Sequence, residues 1–282
     1  MAEEGYDRGV PRLEGPEGTM PALGFGTWEL TGEECRGAVK YAVNSGYRHV
    51  DTARVYENER EVGKGIQDTD VPRASLFVST KVWRDDLAPD RVKESLDASL
   101  SDLQLDYVDL VMIHWPNPDV PVEETLGALG ELRQEGKTCH IGLSNFNIPL
   151  LREAQQKSEA PIFCNQVEYH PYLSQEPILQ YCRENETLVV AYSPLARGVV
   201  MNDLRLEKIA EKHNKGISQV VLRWLTQQPG VGAVVRSSKP DHILANLHSF
   251  DFRLDFQDMD QILQLERGQR LINPPFSPEW DT

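Results

Sequence analysis

Nothing in the 282 residues approaches the roughly 20 consecutive apolar side chains of a membrane-spanning helix. The opening residues, Met-Ala-Glu-Glu-Gly-Tyr-Asp-Arg-Gly, contain no apolar signal region, so a cytoplasmic location is expected rather than export. Cysteine is scarce. Cys35, Cys139, Cys164 and Cys182 lie far apart and form no Cys-x-x-Cys pair, which reads as reduced, mostly buried thiols and no metal site. Positive charge is short as well, with 29 basic against 44 acidic residues and a net charge of −15. A surface of that sign repels phosphates and excludes nucleic acid and anionic membranes as partners. It reads as a well-solvated acidic protein. The excess of arginine over lysine, 19 to 10, also fits a salt-adapted cytoplasm. No Gly-x-Gly-x-x-Gly loop follows the first strand signal, which argues against a doubly wound dinucleotide-binding sheet. No low-complexity segment or compositional break divides the chain, so residues 1–282 read as one domain.

What the chain does have is alternation. Short apolar runs, the mark of strands buried on both faces, fall at 22–28, 46–50, 76–82, 108–114, 139–143, 162–167, 188–192 and 231–235. Helical patterns separate them. The first follows Thr31-Gly-Glu-Glu34, which has the spacing of a capping box, and carries Cys35, Ala38, Val39, Ala42 and Val43 on one face until Gly46 stops it. The others are expected at 59–67, 89–103, 121–134, beyond Asn147, at 174–183, over 204–214 and 218–227, and at 240–247. Residues 1–20 form a cap or hairpin over the barrel bottom, 256–265 an extra helix, and 271–280 a Pro-rich irregular tail. Eight strands alternating with helices, joined by right-handed crossovers, give an α/β fold, a (β/α)8 TIM barrel.

Chemistry in such a barrel sits at the carboxyl ends of the strands. Asp51 ends the second strand and Tyr56 lies in the loop beyond it; Lys81 and His114 fall at the ends of the third and fourth. Four polar side chains from three strand ends can therefore meet in one pocket.

The runs Asp51-Thr-Ala-Arg-Val-Tyr-Glu-Asn-Glu59, Lys81-Val-Trp83, Ile113-His-Trp-Pro116 and Gly142-Leu-Ser-Asn-Phe146 occur in this order. They resemble the aldo-keto reductases, NADPH-dependent carbonyl reductases built on a TIM barrel. The likeness runs over residues 21–280 and is nearest to the diketogluconate reductase and xylose reductase-like branches. It implies that Tyr56 is the proton donor for the developing alkoxide. Lys81 would lower the phenol's pKa, Asp51 would pair with Lys81, and His114 would orient the carbonyl. By the same resemblance Trp28, Trp83 and Trp115 line the substrate pocket, with Pro275, Phe276 and Trp280 of the tail closing it. Ser144, Asn145 and Gln166 would hold the nicotinamide carboxamide, and Tyr192 would stack on its ring. Ser193 and Leu195, in the run to Arg197, would follow the pyrophosphate. Arg236 and Ser237 would take the phosphate, with His242 and Asn246 at the adenosine end. The implied cofactor is NADPH/NADP+, with NADH as a weaker alternative; the partner is a small-molecule carbonyl compound, and the chain is expected to be a monomer. Three departures stand at the adenosine end: Val235-Arg236-Ser237 replaces the usual Pro-Lys-Ser, His242 a usual Arg, and Ala245 a usual Glu. His49, His170, His213 and His248 belong to no motif and read as structural. A binding protein that keeps the scaffold without turnover, and a metal-dependent barrel hydrolase, are the competing readings. The complete tetrad argues against the first, and the lack of clustered ligands against the second.

Overall fold

Eight parallel strands close into a barrel in the order β3 (Leu23–Gly26), β4 (His49–Asp51), β5 (Phe77–Val82), β6 (Val108–Ile113), β7 (Thr138–Ser144), β8 (Ile162–Glu168), β9 (Leu188–Tyr192) and β10 (Val231–Val235). The last pairs with the first, Ala233 beside Leu23, so no strand edge is left open. This architecture comes from a computed structural model that describes residues 9–281. A hairpin of β1 (Arg12–Gly15) and β2 (Gly18–Pro21) precedes the barrel and places Met20 in its floor. The expected N-terminal cap is thus a hairpin. Residues 1–8, on which the export reading rests, lie outside the described residues.

The helices follow the apolar periodicity: α1 (Gly32–Ser45), α2 (Glu59–Gln67), α3 (Pro89–Leu103), α4 (Val122–Gln134), α5 (Ile148–Lys157) and α6 (Glu176–Glu184). Then come α7 (Leu204–His213), α8 (Ile217–Thr226), α9 (Pro240–Leu247) and the extra α10 (Phe256–Leu263). Gly46 ends α1 at φ 121°, a conformation open mainly to glycine. Gly63 lets α2 lie against the end of α3, since a Cβ there would stand 2.2 Å from the Leu103 carbonyl oxygen. The capping box expected at Thr31 does not form. Thr31 is the N-cap residue, but its side chain makes no cap hydrogen bond, and Gly32 takes a left-handed φ of 53°. Among the described residues no helix is long and apolar enough to cross a membrane. Cys35, Cys164 and Cys182 are buried free thiols, and Cys139 is exposed.

Two apolar layers result. One lies between strands and helices and includes Val39, Leu96, Leu129, Leu151 and Leu222. The other fills the barrel lumen with Met20, Phe77, Leu110, Met112, Cys164, Val190 and Val234. Side chains alternate between these layers along each strand. On β4 and the upper part of β5, above Phe77, the lumen positions His49, Asp51, Ser79 and Lys81 are polar, and that exception leads to the site.

Candidate active site

Asp51 and Ser79 are register partners on β4 and β5. Two residues on, Lys81 reaches back: its Nζ donates to Asp51 Oδ1 at 2.5 Å and to the Thr52 carbonyl at 2.9 Å. Asp51 Oδ2 accepts from Ser79 Oγ (2.8 Å) and from Gln166 Nε2 across the lumen (3.1 Å). Below them His49 Nε2 meets Ser79 Oγ at 3.1 Å. A polar stripe, His49–Ser79–Asp51–Lys81, therefore runs up one side of the lumen. Lys81 and Asp51 are almost wholly buried, and the pair is tolerated because each charge is hydrogen-bonded within the chain as well as paired. Burial would strip Lys81 of its proton, but Asp51 and the Tyr56 phenol outweigh it and hold the ammonium above the ordinary lysine range.

Tyr56 lies over this pair. The Lys81 ammonium is 5.2 Å from its ring centroid, the Trp28 ring 4.8 Å and the His114 ring 5.7 Å. The resemblance implies that Lys81 lowers the phenol's pKa. Lys81 does pull it down, but burial outweighs that pull and the net direction is up. His114 is driven well below the ordinary histidine range, first by burial and then by Lys81, so its imidazole is neutral. Its Nδ1 is shielded and has no partner among the described residues. The four candidate catalytic residues thus converge as expected.

The mouth above them is aromatic. Trp83 packs edge-on to His114 at 5.2 Å and to Phe276 of the tail at 5.8 Å; Trp115 meets Phe276 at 5.4 Å and Trp280 at 6.1 Å. Trp28, on the other rim, is half exposed. The tail is fastened by Glu168, the fully buried last residue of β8, whose carboxylate accepts from the backbone of Leu271 (2.7 Å) and Ile272 (2.9 Å) and meets His170 Nε2 (3.0 Å). Farther on, Asn147 donates to the Glu279 carbonyl, and Asp281 accepts from the Ile148 N–H. Phe276 and Trp280 therefore reach the mouth as the sequence suggested.

The opposite wall is built from β7 to β10. Tyr192 donates its hydroxyl proton to Asn145 Oδ1 (2.7 Å), Asn145 Nδ2 donates to Ser144 Oγ (3.1 Å), and Ser144 Oγ to the Gln166 carbonyl (3.0 Å). These four residues form one connected group at the strand ends. Beyond Tyr192 the backbone is left-handed at Ser193 (φ 48°), Ala196 (φ 46°), Arg197 (φ 51°) and Gly198 (φ 89°), with Leu195 between them. Such a run in non-glycine residues stores strain, which clusters at functional sites. Arg236 bends back to donate to the Trp28 carbonyl (3.0 Å) and to Glu29 (3.3 Å), joining the loops after β10 and β3. Ser237 and His242 flank the start of α9, with His242 exposed. Asn246 is buried beside the Tyr47 hydroxyl. No group of three or more metal-ligating side chains occurs among the described residues.

The family model for the aldo/keto reductase family matches residues 22–267, and the chain belongs to that family. It is an oxidoreductase of carbonyl groups. It is 41% identical over 253 residues to a glyoxal reductase of Bacillus subtilis (strain 168), covering 89% of this chain and 91% of that protein. It is 39% identical over 266 residues to the methylglyoxal reductase DkgB of Escherichia coli O157:H7, covering 93% and 99%. The crystal structure of a Bombyx mori aldo-keto reductase in complex with NADP superposes with a TM-score of 0.90 at 33% identity, covering 96% of this chain and 98% of that one.

Several participants carried no local signal. Glu59 and Thr80 sit inside motifs but read as ordinary helix-start and strand residues. His49 and His170, which belong to no motif, are hydrogen-bonded into the stripe and the tail fastening, in keeping with structural roles. Lys239, the N-cap residue of α9, adds an exposed cation beside Ser237, whose Oγ accepts from its N–H (3.1 Å). Its place just before Pro240 was the available clue.

Proposed function

We propose that this enzyme reduces small aldehydes and ketones with NADPH, and that 1,2-dicarbonyl compounds such as methylglyoxal are among its substrates. The observation that carries the reading is the buried Lys81–Asp51 pair beneath Tyr56, with neutral His114 beside the same phenol. The residues fit a dinucleotide laid along the opposite wall. Hydroxyl and amide groups of Ser144, Asn145 and Gln166 stand at one end, and Arg236, Ser237 and Lys239 stand before the amino end of α9, where a helix favours phosphate. The named substrates of the relatives supply the dicarbonyl class, and the neighbour bound to NADP supplies the cofactor.

Bound NADPH supplies a hydride to the carbonyl carbon. Tyr56 gives its phenolic proton to the carbonyl oxygen, so that hydride and proton together complete the alcohol. Lys81 stabilises the phenolate left behind, and Asp51 keeps Lys81 ionised while it does so. His114, neutral through burial, offers one N–H to the carbonyl oxygen and orients it. Trp28, Trp83, Trp115 and Phe276 exclude water, which strengthens each of these interactions.

Loss of reduced-nicotinamide absorbance with glyoxal, methylglyoxal, keto-acids and keto-sugars tests the reading. Turnover of at least one compound is expected. Saturable NADPH binding without turnover of any would overturn it in favour of a non-catalytic binding protein.

A further inference from the structure

A proton donor and the ammonium that tunes it must keep a fixed spacing, yet little holds Tyr56 directly. It ends a single 3-10 turn (Arg54–Tyr56), and Glu57 after it is left-handed at φ 54°. Its hydroxyl meets only the Lys81 ammonium, the very group whose distance matters, and its ring is held by packing against Trp28 and His114. What fixes the turn lies below it. Glu59, the first residue of α2, turns its side chain inward and is almost wholly buried. Its Oε1 accepts from Thr80 Oγ1 at 2.6 Å, and its Oε2 accepts from Arg54 at 3.1 Å. Thr80 is the residue before Lys81, and Arg54 lies two residues before Tyr56. One carboxylate therefore bridges the strand that carries the ammonium and the loop that carries the phenol. Arg54 is fastened a second time, to Asp102 of α3. On the other side, Asn58 donates to the carbonyls of Thr27 (2.8 Å) and Leu30 (2.9 Å) and accepts from Thr52 Oγ1 (3.0 Å).

The carboxylate is held at a cost. Burial raises its pKa, against the pull of Thr80, Arg54 and Ser99. Fastening α2 to the barrel needs no buried charge there, since Val62, Gly63 and Ile66 already pack that helix. We propose that Glu59 is a positioning residue that sets the spacing between Tyr56 and Lys81. This inference rests on the proposed reading of Tyr56 as proton donor.

The charged and titratable groups around the phenol are Lys81 on β5, Asp51 on β4, His114 after β6 and Tyr192 on β9; Glu59 and Arg54 act through the turn. If Glu59 acted through its field, removing its charge would lower the phenol's pKa. If it acts by spacing, its loss lets Lys81 and Tyr56 drift apart, the downward pull weakens, and the pKa rises. Thr80→Val removes one hydrogen bond and no charge, and should move it the same way.

The test uses Glu59→Gln, Thr80→Val and Thr80→Ser in the full chain, each with and without Tyr56→Phe. Tyr56 titration is read as the ultraviolet phenolate difference between members of each pair. Methylglyoxal reduction and NADPH binding are measured in parallel. Glu59→Gln and Thr80→Val should raise the Tyr56 titration and lower kcat by about 10–100-fold, the cost of a small misplacement of a catalytic group. NADPH Kd should stay unchanged, and Thr80→Ser should restore both readouts. An unchanged titration and kcat with a lowered melting midpoint would reduce Glu59 to a structural clamp. A titration that falls in Glu59→Gln and stays put in Thr80→Val would assign the effect to charge instead. If Glu59→Gln does not fold, Thr80→Val decides alone. If the unmodified protein turns over nothing, the reductase reading fails, and the titrations still judge the spacing.

Discussion

The two walls of the barrel mouth are built on different terms. The wall from β4 to β6 is buried and closed by its own bonds: Asp51, Lys81, Glu59 and Thr80 are nearly inaccessible, and their charges are paired within the chain. The wall from β9 to α9 is open. Its loop holds left-handed residues, Arg236 borrows a carbonyl and an exposed glutamate, and His242 stands in solvent. A proton donor needs its environment fixed before the substrate arrives, because solvent rearrangement at the moment of transfer raises the barrier. A charged ligand can complete its own binding site, since it brings the missing partner with it. The first wall spends stability on preorganisation, and the second leaves that to binding.

That contrast can be broken from the closed side first. Tyr56→Phe keeps the ring and removes the proton, and should cost about 10²–10⁴-fold in reduction while NADPH binding stays nearly intact. Reduction at more than about a tenth of the normal rate would remove Tyr56 from its role. Lys81→Met leaves Asp51 buried without its cation and should lower unfolding stability by about 3–5 kcal/mol, along with activity. Because the folded-state pKa of Lys81 is raised, the pair's contribution is fully present below the ordinary lysine value of 10.5 and is lost as pH rises beyond the folded value. The melting curves of parent and variant should therefore converge only in strong alkali; curves that coincide at neutral pH would place Lys81 in solvent.

Changes on the open wall should be gentler. Arg236→Ala should leave reduction with NADH nearly unchanged and erase most of the preference for NADPH, a loss of about 1.5–3 kcal/mol for one charge-assisted contact. The ratio of kcat/KM for the two cofactors measures it, and an unaltered ratio would move the phosphate site elsewhere. His242→Arg should raise the same ratio severalfold, because it adds a permanent cation where an exposed imidazole now stands. The smallest effect is expected from bulk salt. Screening of a net charge of −15 should raise the melting midpoint by a few degrees in molar potassium chloride. A flat response would dismiss the salt-adapted reading.

The barrel was legible because its strands are local apolar runs, and β9, β10, α2, α3 and α9 fall on the residues their patterns indicate. Asp51, Tyr56, Lys81 and His114 were legible because each ends a strand or follows one inside a short motif. What stayed hidden depends on pairing over long separations. Glu168 meets Leu271 across 103 residues, and Arg236 meets Trp28 across 208. Glu59 looked like an acidic residue at a helix start, and only the fold turns it inward to Thr80. The Thr31 box failed for the opposite reason. Its local spacing was right, but Gly32 carries the chain through a left-handed turn that the spacing does not encode.

The polar stripe of the lumen also determines where one proton must be. Ser79 has a single hydroxyl proton, and it points to Asp51. Its oxygen can therefore meet His49 only as an acceptor, so His49 carries its proton on Nε2, and the bare Nδ1 faces Gly24, where a Cβ would lie only 2.7 Å away. Burial lowers the pKa of the ring to about 4, so this tautomer should persist throughout the neutral range. In nitrogen magnetic resonance His49 would show two well-separated signals that do not move between roughly pH 5 and 8. Neutralising Asp51 would free the Ser79 hydroxyl to turn around, and the two nitrogen signals would exchange identities. An imidazole at the floor of the barrel would then report the charge state of a carboxylate beneath its mouth.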